Sequence, residues 1–539
     1  MTDAYDVIIV GGGHNGLVAA GYLARAGRRV LVLERRHTVG GAAVSEQPFG
    51  PDFTVTSLSY VVSLLPDAMV RDLRLAEHGY HVYPQGPYFA PRADGRHLLL
   101  ADDPKARRDE IGKFSARDAD AYERWEEWLA GLGALVGPLL HQIPPKLGSK
   151  RPKALTEQAA LAAQLRKVDV RAAFDLTRLF TASIADLVED RFDSDAMRGL
   201  LSVSGVIGTW AGPRSAGTGF VTLHHHLDQT GGQSAGWGFP RGGMGGVTSA
   251  MAAAARSFGA EIRTEAPVVR IETRGGEVAG VMLADGTEFR APTVVTTLHP
   301  RTSFLDLVDP KELPTDFVAD IEAWRSRSGT VKVNMAVDRL PTFASHPEFA
   351  PDVHGGTIVL AESLDEIERS YQEAVGGQPA TVPFADICIP SVFDPTLAPE
   401  GQHVISAFTQ WAPHTYADEP RTDELEAYAD RLVARIEAVA PGFTDSVIGR
   451  QVIGPHTMQE EYGLVGGNIF HGELTPGQMF HCRPAAGYAD LRTPIRGLYQ
   501  AGSATHGGGG VTGIPGRNVV RQILRDQRWR RRRFRSVAN

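Results

Sequence analysis

The chain has 539 residues, of which 42% are hydrophobic and 22% charged, and its formal net charge is -8. This length exceeds what one hydrophobic core of roughly 250–300 residues accommodates, so two intertwined domains are expected, and the acidic balance argues against nucleic acid as a main partner. The two cysteines, Cys388 and Cys482, lie far apart, which excludes a CxxC redox pair and a local cysteine zinc site.

Residues 7–10 form a short apolar run followed by a glycine loop. Residues 17–26 then show helical spacing stopped by Gly27, and a second apolar run covers 30–33, together a βαβ unit. The first strand begins by Tyr5, leaving no room for a signal or transit peptide, so a cytoplasmic location is expected. From about 104 to 200 the pattern is mostly helical and reads as an insertion, with a Pro- and Lys-rich loop at 144–153. No run reaches the roughly 20 apolar residues of a membrane span. The uncharged stretches 129–145 and 199–213 are broken by Gly and Pro and read as buried helices, in preference to a membrane-peripheral face.

Three strands are expected across 268–297, with Gly275-Gly276 and Asp285-Gly286 as turns. Runs at 331–337, 358–360 and 404–410 and an amphipathic helix at 424–439 predict a second, mixed α/β sheet. The last 60 residues become glycine-rich at 507–510 and continue into a helix. Its tail, 521–535, carries Trp529 and Phe534 among arginines and reads as a solvated terminus, with contact to anionic lipid as the alternative.

The sequence Val7-Ile8-Ile9-Val10-Gly11-Gly12-Gly13-His14-Asn15-Gly16 places GxGxxG between a strand and a helix. Gly11 permits the tight turn, Gly13 lets backbone amides approach a pyrophosphate, Gly16 allows close helix–strand packing, and the helix N-terminus faces the anion. His14, inside this loop, reads as a pyrophosphate neighbour along with Asn15. Glu34 ends the second strand, where its carboxylate accepts ribose hydroxyl hydrogen bonds and disfavours a 2′-phosphate. Gly40-Gly41-Ala42 soon after the acid resembles the flavoprotein loop, pointing to FAD rather than NAD. At the other end, Gly502-Ser503 and Gly510-Val511-Thr512 belong to a strand, loop and helix start that would favour negative charge at one edge of a flavin. No second fingerprint stands between a strand and a helix, so a dedicated NAD(P)H domain is not expected.

These segments, with Pro240-Arg241-Gly242-Gly243-Met244 and the 294–297 strand, resemble the phytoene desaturase-like family of FAD oxidoreductases over essentially the whole chain. Segments 387–391, 394–399, 440–443 and 466–471 resemble one branch of it. The resemblance implies a Rossmann-type α/β FAD-binding domain built from residues 1–75, 236–300 and 480–539. Residues 76–235 and 301–479 would form an interleaved mixed α/β substrate domain with the helical insertion. It further implies FAD contacts at Gly11, Gly13, Gly16, Glu34, Arg35, Gly40, Gly41 and Gly502, with Val268 near the adenine through its backbone. Amine oxidases and many carotenoid desaturases carry an arginine after the glycine pair, whereas Ala42 and Ala43 stand here, which disfavours amine oxidation.

Flavin chemistry needs few protein groups, so the catalytic candidates are polar residues near the expected ring: His506 in the glycine loop, and Asn468 and His471. Three consecutive histidines, His224-His225-His226, cannot all face one ion, and no metal is expected. The leading expectation is a dehydrogenase or desaturase acting on an apolar, isoprenoid-like substrate, with oxygen or a quinone as electron acceptor. A redox-neutral flavin-dependent isomerase is a close relative. The alternative is an FAD-binding protein with a structural or partner-binding role.

Overall fold

The structure is a computed structural model that describes residues 5–166, 168–227 and 237–537, with side chains up to 527. Strand β1 (Val7–Val10) pairs in parallel with β2 (Val30–Leu33), and helix α1 (His14–Arg25) makes the crossover. They belong to a five-stranded parallel sheet ordered Leu498–Gln500, Val294–Thr296, β1, β2, Glu261–Arg263. Helices cover both faces of such a sheet, which is why β1 and β2 read as unbroken apolar runs and are buried throughout. Its strands come from the N-terminus, the middle and the C-terminus of the chain.

Within 268–297 the structure has four strands, not three. Val268–Arg274, Glu277–Leu283 and Glu288–Arg290 form an antiparallel meander, turned at Gly275 and Gly276 (φ 58° and 75°) and at Gly286 (φ 85°). Val294–Thr296 then leaves the meander beyond Pro292 and enters the parallel sheet beside β1. Proline cannot continue the antiparallel ladder, and that break separates the two sheets.

The second sheet has seven strands, ordered Val447–Ile453, Thr330–Val337, His403–Gln410, Phe384–Cys388, Thr357–Leu360, Tyr88–Pro91, His97–Leu99. Only the Thr357–Leu360 and Tyr88–Pro91 pair is parallel, so the sheet is mixed. It draws on residues both before and after the middle strands of the nucleotide sheet, so the two sheets are interleaved along the chain. Helix Thr422–Val439 covers one face with Leu425, Tyr428, Leu432 and Ile436.

The helical insertion includes α2 (Ala116–Leu140), α3 (Pro152–Leu165) and α4 (Val170–Thr181). Ser115 and Asp169 cap α2 and α4 by accepting the Asp118 and Ala172 amides. The loop before α3 ends at Arg151, slightly earlier than expected, because Pro152 occupies the first helical turn where a missing N–H costs nothing. Trp125, Leu129, Leu132 and Val136 of α2 are buried, as are Leu200, Leu201 and Trp210, so 129–145 and 199–213 carry core rather than surface. The C-terminal helix α5 (Ile514–Val537) packs against α1. Among the described residues no helix is long and apolar enough to cross a membrane.

Candidate active site

A cavity of about 1260 Å³ opens where the C-terminal end of β1 meets α1, and it continues to the second sheet. The sequence sets its geometry locally. A Cβ on Gly11 (φ 101°) would stand 2.5 Å from Thr297 Oγ1, and one on Gly16 would stand 2.2 Å from the Gly11 carbonyl oxygen, so both positions need glycine for the strand–helix turn. Gly13 differs: its nearest atom would be 4.0 Å away, and its open side faces the cavity. Helix α1 has neither a capping side chain nor an acid in its first turn, leaving its first amides to the cavity. The Glu34 carboxylate accepts the Gly12 and Arg36 amides at 2.7 and 2.9 Å, which fixes it at the end of β2. Gly40 donates to the Gly12 carbonyl at 2.9 Å, docking the second glycine pair onto the first loop.

Gly11, Gly13, His14, Asn15, Glu34, Arg35, Gly40, Gly41, Ala42 and Val268 line this one cavity, and Ser503, Gly510 and Val511 line it from the C-terminal loop. Gly16, Gly502 and Thr512 do not. Gly16 packs on β1, a Cβ on Gly502 would meet the Thr297 carbonyl at 2.7 Å, and Thr512 Oγ1 donates to the Gly507 carbonyl at 2.7 Å. These three shape the loops that others present. His14 Nε2, Asn15 Oδ1 and His471 Nδ1 are buried without partners among the described residues. A row of free amides, an acid at the strand end, glycine-walled space and unpartnered buried polar atoms fit a flavin dinucleotide.

Of the catalytic candidates, His471 faces the cavity, in a left-handed backbone conformation (φ 56°), with its ring 5.8 Å from that of His299. Burial, reinforced by the Arg483 charge, lowers its pKa to about 4, so it is a neutral imidazole at pH 7. His14 is likewise lowered to about 4 by burial and by His471. Asn468 and His506 stand apart from the cavity lining. Asn468 accepts the Phe470 and Gly472 amides and donates to the Arg327 carbonyl, which consumes its amide in shaping the 468–472 turn. His506 Nε2 lies 2.9 Å from the Leu139 carbonyl at the end of α2, and its side chain is absent from the cavity wall. Both are polar groups satisfying buried backbone, a role that sequence alone does not separate from catalysis.

The histidine triplet divides on the helix Thr218–His226. His225 and His226 place Nδ1 2.9 and 2.8 Å from carbonyls one turn back, while His224 and His225 line the cavity, uncharged through burial with pKa values of about 3 and 4. Among the described residues, no cluster of three His, Cys, Asp or Glu side chains is placed to hold a metal.

Sequence reasoning missed a second polar group. Lys332, on the fully buried strand Thr330–Val337, lines the cavity and donates from Nζ to Asn334 Oδ1 at 2.7 Å and to Ser406 Oγ. Burial lowers its pKa to about 7. Its Nζ stands 5.5 Å from the ring centre of Tyr60, also on the cavity wall, and the Tyr60 hydroxyl lies beside the Asp386 carboxyl, which burial raises to about 7. Arg483 is buried and donates to the Phe470, Ser503 and Gln478 carbonyls, tying the His471 loop to the C-terminal glycine loop.

A parallel nucleotide sheet with this loop, opening onto a second mixed sheet, defines an FAD-dependent oxidoreductase. The sequence profile of the flavin-containing amine oxidoreductase family matches residues 16–516, and the chain belongs to that family. It is 37% identical to pyridine nucleotide-disulfide oxidoreductase domain-containing protein 2 of Rattus norvegicus over 97% of this chain and 94% of that protein. It is 25% identical to a limonene dehydrogenase subunit of Castellaniella defragrans, over 97% of this chain and 94% of that one. Among solved structures, a putrescine oxidase triple mutant matches with a TM-score of 0.62 at 17% identity, covering 97% of this chain and 99% of that one, a likeness of fold.

Proposed function

We propose that the protein is a flavin-dependent dehydrogenase or desaturase of an apolar, isoprenoid-like substrate. The observation that carries this reading is the wall of the cavity beyond the nucleotide loops, which presents Leu64, Ile207, Trp237, Phe408, Ile469 and Phe470. An apolar ligand gains by leaving water for such a surface. The buried histidines beside it are neutral, so they add polarity without charge. The similarity to a limonene dehydrogenase subunit supports the same substrate class.

FAD, when bound, supplies the two-electron acceptor. The first amides of α1 and Glu34 would hold the nucleotide, the apolar wall would exclude water, and Lys332 Nζ would accept or return a proton near pH 7. Oxygen or a quinone is the proposed final acceptor.

The test is turnover of the holoprotein with limonene and with acyclic isoprenoids, using an artificial acceptor and product mass analysis. A product lighter by two hydrogens supports dehydrogenation. An unchanged mass with altered retention indicates isomerisation, and the absence of any product with every such substrate overturns the reading in favour of an FAD-binding scaffold.

A further inference from the structure

Helix α3 buries one residue, Ala154, and α4 buries Asp175 and Leu179. Helices of this length gain most of their stability from a packed face; α4 has one, with Leu179 buried and Leu176 and Phe180 packed on the core, whereas α3 offers the protein little beyond Ala154. Their outward side chains are not uniformly polar. Leu155 (50% exposed) and Leu165 (52%) project from α3, Val170 (89%) and Phe174 (54%) from α4, and Leu147 (51%) from the loop before α3. These are five of the nine large hydrophobic side chains exposed among the described residues, gathered in a short stretch of chain. Scattered exposed leucines need no explanation, whereas a concentration of them marks a contact surface.

The charge between them is cationic. Lys146, Lys150, Arg151, Lys153, Arg166 and Arg171 are all exposed. Glu157 approaches Lys153 at 3.9 Å and Arg525 at 4.0 Å, Asp175 is taken by Arg171 at 3.1 Å, and Asp169 accepts the Ala172 amide. The surplus is positive on a chain whose net charge is -8. The Glu157–Arg525 approach also brings α5 alongside α3, and the sequence beyond Arg525 is arginine-rich.

We propose that α3, α4 and the loop preceding α3 form a docking face for an anionic phospholipid bilayer. Leu155, Leu165, Val170 and Phe174 enter the headgroup–acyl boundary, and the flanking lysines and arginines meet lipid phosphates. Apolar side chains ringed by cations suit that boundary, where burial and electrostatic attraction act together. A second copy of this chain would set cation against cation on the same face. The proposal does not depend on the substrate class argued above.

The test is flotation of the full-length holoprotein with phosphatidylcholine vesicles and with vesicles containing phosphatidylglycerol, at low and high salt. The expected result is binding to the anionic vesicles only, weakened by salt. The double variant Val170→Asp/Phe174→Asp and the double variant Lys150→Glu/Lys153→Glu should each lower the bound fraction at least tenfold. Their flavin spectra and melting temperatures should match those of the unaltered protein, because none of the four side chains is buried. The proposal is overturned if the unaltered protein fails to float with anionic vesicles, or if folded variants float equally well. A concentration-dependent dimer abolished by Val170→Asp/Phe174→Asp would assign the face to a second copy and equally overturn it, as would capture of nucleic acid in place of vesicles.

Discussion

Gly13→Ala and Gly16→Ala, at the N-cap and in the first turn of α1, should fail in different ways. At Gly13 the backbone (φ -69°, ψ 171°) accepts any L-residue, and the nearest atom to an added Cβ is 4.0 Å away. Folding therefore loses at most about 1 kcal/mol, the difference between glycine and alanine at a helix N-cap. The new methyl, however, stands in the cavity where the α1 amides meet the diphosphate. Losing one hydrogen bond to a charged group costs roughly 1.5–3 kcal/mol, which weakens FAD binding about 10- to 150-fold. At Gly16 the Cβ would lie 2.2 Å from a backbone oxygen, so the strand–helix turn itself must shift. Overpacking of that kind costs about 1–3 kcal/mol of fold stability, which for a chain of this size lowers the apoprotein melting temperature by roughly 1 °C per kcal/mol. FAD titration followed by fluorescence and melting of the apoproteins measure the two effects separately. The reasoning is refuted if Gly13→Ala binds FAD like the unaltered protein, or if it lowers the apoprotein melting temperature as much as Gly16→Ala does.

Lys332 is charged below about pH 7 and neutral above it, so a step needing the free amine speeds up as pH rises through that value. Lys332→Met should flatten this limb in anaerobic flavin-reduction rates, and an unchanged limb would contradict the proton role. His14, His225 and His471 are held near 4, below the 6.5 of an unfolded histidine, so between those values the unfolded chain binds more protons than the native one. Stability should accordingly fall as pH drops from 6.5 towards 4, and urea denaturation showing a flat profile there would refute the burial argument. His506→Ala removes one partner of the Leu139 carbonyl, which keeps the Gln142 amide, and should cost about 1 kcal/mol of stability while flavin reduction keeps its rate. A collapse of that rate in a normally stable variant would restore His506 to the chemistry.

The nucleotide half was legible in the sequence because its constraints are local. Gly11, Gly13, Glu34 and Gly40 each answer to a turn, an amide approach or a strand end within a few dozen residues of one another. The C-terminal loop was legible to the level of Ser503, Gly510 and Val511, while the packing roles of Gly502 and Thr512 depend on neighbours that only the fold supplies. Lys332 escaped because it lies within an apolar run that alternates like any strand. The signal that would have found it is the pair Lys332 and Asn334 on one side of a strand buried at every position. Tyr60 and Asp386 join Lys332 only through tertiary packing of the N-terminal segment on the second sheet, which no local pattern encodes. Asn468 and His506, chosen as polar residues near the expected ring, are engaged with backbone instead of lining the cavity, because a polar residue in a glycine-rich loop satisfies backbone as readily as it serves chemistry.

The most direct measurement is anaerobic titration of the purified holoprotein, monitored through the flavin's visible absorption, with limonene or an acyclic isoprenoid in parallel with a primary amine. Bleaching by the hydrocarbon and none by the amine is the predicted result. Bleaching by the amine alone would contradict the account and return the site to amine oxidation.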